Sequence, residues 1–202
     1  MISQISSFIL FSAFSFISIT GFGQTGNYHD SLETYQKKYV QEHEVVTGKD
    51  KQYMQFFPID EKFRISCQVE RKQNSPWFAM ETSGPMKKNY RIYGTIHFTI
   101  NDTAVSLYIY QSQSLIQTDQ YKKYLFIPFT DATTGEETYT SGRYYEFETT
   151  DIINDQLVID FNKSYNPYCA YVSNKYNCPV PPKENFLPIA IRAGEKKYTG
   201  PH

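Results

Sequence analysis

The sequence predicts a mainly β fold: an antiparallel β-sandwich or barrel-like sheet with one N-terminal α-helix and a long ordered Cys/Pro-rich loop. Three observations predict it. A helical spacing of apolar residues occurs before Gly48, and a spacing of two replaces it afterwards. The later apolar runs are short and are separated by Gly, Asp, Asn or Pro without helical patterns between them, which suits hairpin-connected strands rather than βαβ units. The chain also holds 18 Tyr and 15 Phe, side chains that pack well on a pleated surface.

Residues 1–23 contain no Lys, Arg, Asp or Glu, and Phe8 to Ile19 form an apolar run ahead of Gly21 and Gly23, a small-x-small pattern. This reads as a signal peptide despite the absence of a basic start. A membrane anchor is the competing reading, but twelve helical residues reach only about 18 Å, short of the roughly 30 Å hydrocarbon core. The expectation is therefore cleavage after Gly23, export to the periplasm or medium, no stable membrane insertion after cleavage, and a single β-rich domain over residues 24–202.

The segment "DSLETYQKKYVQEHEVVTG" predicts the helix. Asp30 and Glu33 fit a capping box, Leu32, Tyr35, Tyr39, His43 and Val46 share a face, and Gly48 is a natural stop. In "FRISCQVER", Phe63, Ile65, Cys67 and Val69 alternate with polar residues, which turns Cys67 inward. "NYRIYGTIHFTI" places Tyr90, Ile92, Gly94, Ile96, Phe98 and Ile100 on one face, and Asn101-Asp102 then turns the chain into "AVSLYIY". Further strands are expected at Tyr124–Phe129, Arg143–Glu148, Gln156–Phe161 and Leu187–Ile191. The tail "AGEKKYTGPH" has few apolar residues and is expected at the surface.

Twenty basic and 21 acidic residues give a net charge of −1. That balance excludes a general phosphate-backbone binder, so nucleic acid is not an expected partner.

The run "FIPFTDATTGEETYTSGRYYEFE" followed by "IDFNKSYNPYCAYVSNKYNCPVPPKENFLPIAIRAGEK", with "FFPIDEKFRI" and "YGTIHFTI" upstream, resembles a bacterial and archaeal family catalogued as domain of unknown function 1684. The resemblance spans most of the chain beyond residue 23 and implies no particular reaction. It does imply that the Gly-Arg-Tyr and Cys/Pro positions belong to the family's shared pattern, whereas His97 does not.

Cys169 and Cys178 lie nine positions apart. In an exported chain a local disulfide is the first reading, with unbridged packing thiols, a metal site or a nucleophile as alternatives. The resemblance bears on this choice, because relatives without export signals would carry the same pair in reducing surroundings. Cys67 reads as a buried small hydrophobe. Zinc is not favoured because His29, His43, His97 and His202 are scattered. Calcium is not favoured either. Asp131, Thr133 and Glu137 around Gly135 only loosely imitate a calcium loop, and a β-turn with Asp131 bonding nearby amides explains them as well.

Arg143 is suited to clamp a carboxylate, belonging either to this chain or to an anionic ligand. Asp160 and Asn162 stand opposite Ile159 and Phe161 if the strand persists, facing solvent or a polar cavity. Together these residues predict a pocket between the Gly-Arg-Tyr strand and the Cys/Pro loop for a small polar or anionic molecule. Arg143 would anchor charge, Tyr139, Tyr165 and Tyr171 would stack or donate, and Asp160, Asn162, Asn166 and Glu184 would orient the ligand. The rival readings are a hydrolase using two carboxylates from Asp131, Glu136, Glu137, Asp160 and Glu184, or a cell-envelope interaction module. No catalytic residue, cofactor or oligomeric state is assigned from sequence.

Overall fold

The computed structural model describes residues 25–201, with side chains from Tyr28 onward, so the predicted signal segment lies outside the described residues. Helix α1 (Thr25–Glu42) is followed by eight strands: β1 (Arg64–Arg71), β2 (Phe78–Met80), β3 (Lys88–Ile100), β4 (Thr103–Ser112), β5 (Tyr124–Asp131), β6 (Arg143–Glu148), β7 (Gln156–Asp160) and β8 (Phe186–Leu187). They form one mainly antiparallel sheet in the order β6-β5-β4-β3-β1-β7, with β2 added to β3 and β8 pairing β5 in parallel. The sheet curls into a half-barrel, and at its open side the Tyr145 hydroxyl of β6 meets the backbone of Asp160 in β7.

Strand alternation builds two unlike faces. Leu107 and Ile109, Leu125, Ile127 and Phe129, Tyr145 and Phe147, and Leu157 and Ile159 turn into the aliphatic-rich core of the half-barrel, joined by Cys67 and Val69. Their neighbours of opposite parity, Tyr110, Phe126 and Tyr144, gather with Met80 and Tyr90 into an aromatic cluster on the outer face. The outer face is thus covered too, which is why the strand sequences carry rings at successive positions.

The β3–β4 hairpin turns at Asn101-Asp102, with φ of 48° and 59°, as the sequence predicts. The single apolar face expected for β3 is interrupted. A bulge shifts the register between Ile92 and Gly94, so Tyr90 and Ile92 join the aromatic cluster while Ile96, Phe98 and Ile100 enter the other core. Glycine is required at 94 because a Cβ there would lie 2.7 Å from the Glu70 carbonyl oxygen.

Other boundaries differ for local reasons. Helix α1 begins at Thr25 and ends at Glu42, so Asp30 does not cap it; the Asp30 carbonyl accepts from Thr34, and Glu33 pairs with Lys37 on the exposed side. His43 Nδ1 accepts from the Val46 amide at 2.9 Å, closing a turn that buries both residues beyond the helix. β7 stops at Asp160 because Phe161–Lys163 form a 3-10 turn. The expected strand over 187–191 shrinks to Phe186–Leu187, since Pro188 has no amide to donate.

β4 and β5 share one ladder pair, Tyr110 with Phe126. Beyond it the buried Asn185 side chain acts as a splint, accepting from the Tyr108 amide at 2.8 Å and donating to the Tyr108 and Pro128 carbonyls. The tail finishes at the surface as expected, with Thr199 and Pro201 exposed, but on the way Ala193, Glu195 and Tyr198 are buried.

Candidate functional site

The Gly-Arg-Tyr strand and the Cys/Pro loop do meet, through backbone hydrogen bonds between Tyr144 and Tyr165. Arg143 nevertheless turns away from their junction. It shares the parity of Tyr145 and Phe147, is 1% exposed, and donates from Nη2 to Asp131 Oδ2 at 2.8 Å and to the Ile191 carbonyl at 2.7 Å. Nη1 donates to the carbonyls of Ala193 and Glu195, and the Phe129 ring lies 5.4 Å away. The guanidinium is thus spent on the protein's own tail, and the ligand-anchoring role expected of it is replaced by an internal one.

Several other predicted contacts are likewise internal. Asp160 does not face a cavity: it is buried, accepts from the Tyr28 hydroxyl at 3.0 Å, and caps the 3-10 turn through the Asn162 amide. Asn162 is wholly buried and ties Asp60 and Tyr28 to that turn. Asn166 donates its amide to Glu195 and its side-chain nitrogen to the Lys196 carbonyl. Tyr171 donates to the Glu195 carboxyl at 2.7 Å. Glu184 lies exposed on the 3-10 turn before β8. Tyr139 bonds the Cys169 carbonyl and lines a smaller recess beside the loop.

Asp131 accepts from the Thr133 amide and hydroxyl as well as from Arg143, while Glu137 grips Arg192 with both oxygens. These two carboxylates of the loose calcium-like loop are therefore occupied by protein donors, in the turn expected as its alternative. The carboxylates considered for a hydrolase, Asp131, Glu136, Glu137, Asp160 and Glu184, contribute nothing to the main cleft.

Cys169 and Cys178 are bonded, with Cα atoms 6.3 Å apart. In the chain-entropy picture, closing a loop of about ten residues stabilises the fold by roughly 2.7 kcal/mol. Ser83 fixes the bridge to the sheet side, its hydroxyl contacting Cys169 Sγ and accepting from the Cys178 amide. Cys67 is a buried free thiol, and burial pushes it up to about 12, leaving it inert at neutral pH.

The main cleft, of about 620 Å³, opens between α1, the outer face of the sheet and the disulfide-closed strap. The helix supplies Tyr35, Tyr39 and Glu42, and the turn after it His43 and Glu44. The sheet supplies Lys88, Tyr90, Tyr124, Phe126, Tyr144 and Glu146, and the strap supplies Tyr165, Pro167, Tyr168, Tyr176, Asn177, Cys178 and Pro179. Among the described residues, eight tyrosines line it. Phe126 meets Tyr144 edge-on at 4.7 Å and lies nearly parallel to Tyr124 at 6.4 Å, while Tyr144 meets Tyr165 edge-on at 5.9 Å.

At the sheet wall, Tyr124 and Tyr165 both donate to Glu146 Oε1. Burial, reinforced by the Glu146 charge, raises both hydroxyls well above the ordinary tyrosine value, so they stay protonated and remain donors. Glu146 itself is exposed. At the helix wall, burial, with a smaller push from Lys51, pulls His43 down to about 4, so the imidazole is neutral. Its Nδ1 accepts from Val46, which places the proton on Nε2, a buried donor without a partner among the described residues.

Behind the cleft sits Glu195, fully buried. It accepts from the Asn166 amide at 2.9 Å and from Tyr171, with Tyr39 at 3.5 Å. Burial pushes its carboxyl up to about 7, against the lowering effect of those donors.

Of the predicted contacts, Tyr165 and Cys178 reach the cleft wall. Glu146, Tyr144, Tyr124, Tyr90 and His43 do so without having been named as ligand contacts. The parity of "RYYEFE" carries the signal for two of them: with Tyr145 and Phe147 inside, Tyr144 and Glu146 must point the other way.

Comparison with known proteins agrees with this architecture. The solution NMR structure of an uncharacterised protein of Haloarcula marismortui is similar to this chain at a TM-score of 0.64 and 27% identity, covering 85% of this chain and 95% of that one. No curated protein matches the chain. The family model described as "Protein of unknown function (DUF1684)" matches residues 49–196, and the chain belongs to that family.

Proposed function

We propose that this is an exported binding protein that takes a small polar molecule into the aromatic cleft between α1, the outer sheet face and the strap. The observation that carries the reading is the cleft itself: about 620 Å³, lined by eight tyrosines, with carboxylates at Glu42, Glu44 and Glu146. Its size is that of a small-molecule site, and its mixture of flat apolar faces with a few convergent polar groups is what such sites use for burial and orientation. The rings are pre-set by mutual edge and offset contacts, so binding would freeze few rotamers. Arg143 has no part in this reading.

Export is supported by the Cys169–Cys178 bridge and by the charge-free apolar segment at residues 8–19. Among the described residues no helix is long and apolar enough to cross a membrane. Intact mass of the protein recovered from its producing cell should correspond to a chain starting at Gln24 and carrying the bridge; a full-length, fully reduced chain in the cytoplasm would remove this part of the proposal.

Binding is tested by NMR with ring-labelled tyrosine and a panel of methyl glycosides, polyols and small ammonium compounds. Hits should move the Tyr90, Tyr124 and Tyr165 resonances, and Tyr124→Ala should weaken them about tenfold, in line with losing an aromatic contact worth about 1 kcal/mol or more. Hits that map elsewhere and ignore that substitution would overturn the assignment of the cleft.

A further inference from the structure

We infer that the occupant of the cleft is an organic cation, its ammonium head seated over the tyrosine faces of the sheet wall and neutralised by Glu146. This rests on the binding reading above and narrows it to a class of ligand.

The charge of the cleft points one way. Among the described residues its lining holds three carboxylates, Glu42, Glu44 and Glu146, against the single ammonium of Lys88. His43 adds no positive charge, being neutral near pH 7. An anionic ligand would add charge to an acidic wall.

Geometry points the same way. Glu146 is exposed, and both tyrosine hydroxyls bonded to it use the same oxygen, Oε1. Carboxylate Oε2 accepts from neither of them. Tyr124, half-buried, lines the same sheet wall, backed by the buried rings of Phe126 and Tyr144. Electron-rich ring faces around a carboxylate are the surroundings that stabilise an alkylated or primary ammonium group.

His43 supplies a second, independent mark. It is 7% exposed and lines the cleft, and its Nε2–H lacks an acceptor among the described residues. A buried donor of this kind is costly to leave unpaired, and the ring that carries it is enclosed edge-on by Tyr39, Tyr168 and Tyr171.

The test compares charged probes with neutral isosteres: choline against 3,3-dimethylbutan-1-ol, and n-butylammonium against n-butanol. Each is titrated into the full protein at constant ionic strength while the Tyr90, Tyr124 and Tyr165 resonances are followed. The charged member of at least one pair should bind about tenfold tighter than its isostere, and added salt should weaken that member alone. Glu146→Gln, which can keep accepting from both tyrosines, should abolish the preference while leaving the melting temperature near that of wild type. Equal binding of charged and neutral members overturns the cation and leaves the cleft as a binding site. Binding of neutral glycosides there, with neither ammonium probe bound, overturns the cation in the same way. Absence of any response in the cleft, from these probes and from the wider panel, overturns both readings.

Discussion

Replacing Arg143 with methionine is expected to lower the unfolding free energy by about 3–5 kcal/mol, the range for breaking one side of a buried ion pair. The loss has identifiable parts. The Asp131 carboxylate, itself buried, would keep its Thr133 donors but lose the cation paired with it. The carbonyls of Ile191, Ala193 and Glu195 would lose a shared donor group in the interior. Those carbonyls belong to the tail, so the segment from Ile191 to Glu195 would lose what holds it against β6. Arg143→Lys should recover little, because one ammonium cannot span the set that the planar fork reaches.

The double variant Asp131→Asn/Arg143→Met separates charge from packing. Asparagine can still accept from Thr133, and no uncompensated carboxylate remains, so the double variant should be more stable than Arg143→Met alone. Urea denaturation midpoints measure all three. A variant lacking the guanidinium that unfolds like wild type but no longer binds a cleft ligand would return Arg143 to the functional site and contradict its interior role.

The distinction between these roles marks how far the chain can be read from its residues. The sheet was legible because period-two alternation and turn chemistry are local: Asn101-Asp102 predicts its hairpin from backbone preferences that need no tertiary partner. The meeting of the Gly-Arg-Tyr strand with the Cys/Pro loop was inferred from the clustering of unusual residues, and Tyr144 and Tyr165 do pair there. What was not legible is which side of the strand faces outward once both faces are covered. Alternation assigns Arg143 and Glu146 to opposite faces, but it does not say which face is core when rings occupy both. Glu195 was hidden for a related reason. A charged residue in a polar tail reads as solvated, and its burial depends on Tyr39, Asn166 and Tyr171, contributed from 29 or fewer positions away by the strap and from 156 away by the helix.

That buried carboxyl gives the second large effect, a dependence of stability on pH. Glu195 is raised from its ordinary 4.5 to about 7 in the folded chain, chiefly by burial. Between those values the folded protein holds a proton that the unfolded chain has released, so the unfolding free energy falls as pH rises through this window. The contribution is fully present below about 4.5 and lost by the time pH has passed 7. A displacement of this size corresponds to about 3 kcal/mol. His43 acts with the opposite sign. Its folded value of about 4 lies below the ordinary 6.5, so its contribution is present above 6.5 and lost as pH falls toward 4. The two partly cancel in wild type, and Glu195→Gln separates them. Glutamine keeps a neutral side chain of the same shape beside Tyr171, Tyr39 and the Asn166 amide, and removes the titration. Denaturant midpoints at about pH 5 and about pH 8 should then show wild type losing about 2.5 kcal/mol relative to the variant on going to the higher pH, the His43 contribution being common to both. Parallel pH profiles for the two proteins would mean that Glu195 is ionised throughout, with the Tyr171 and Asn166 donors outweighing burial.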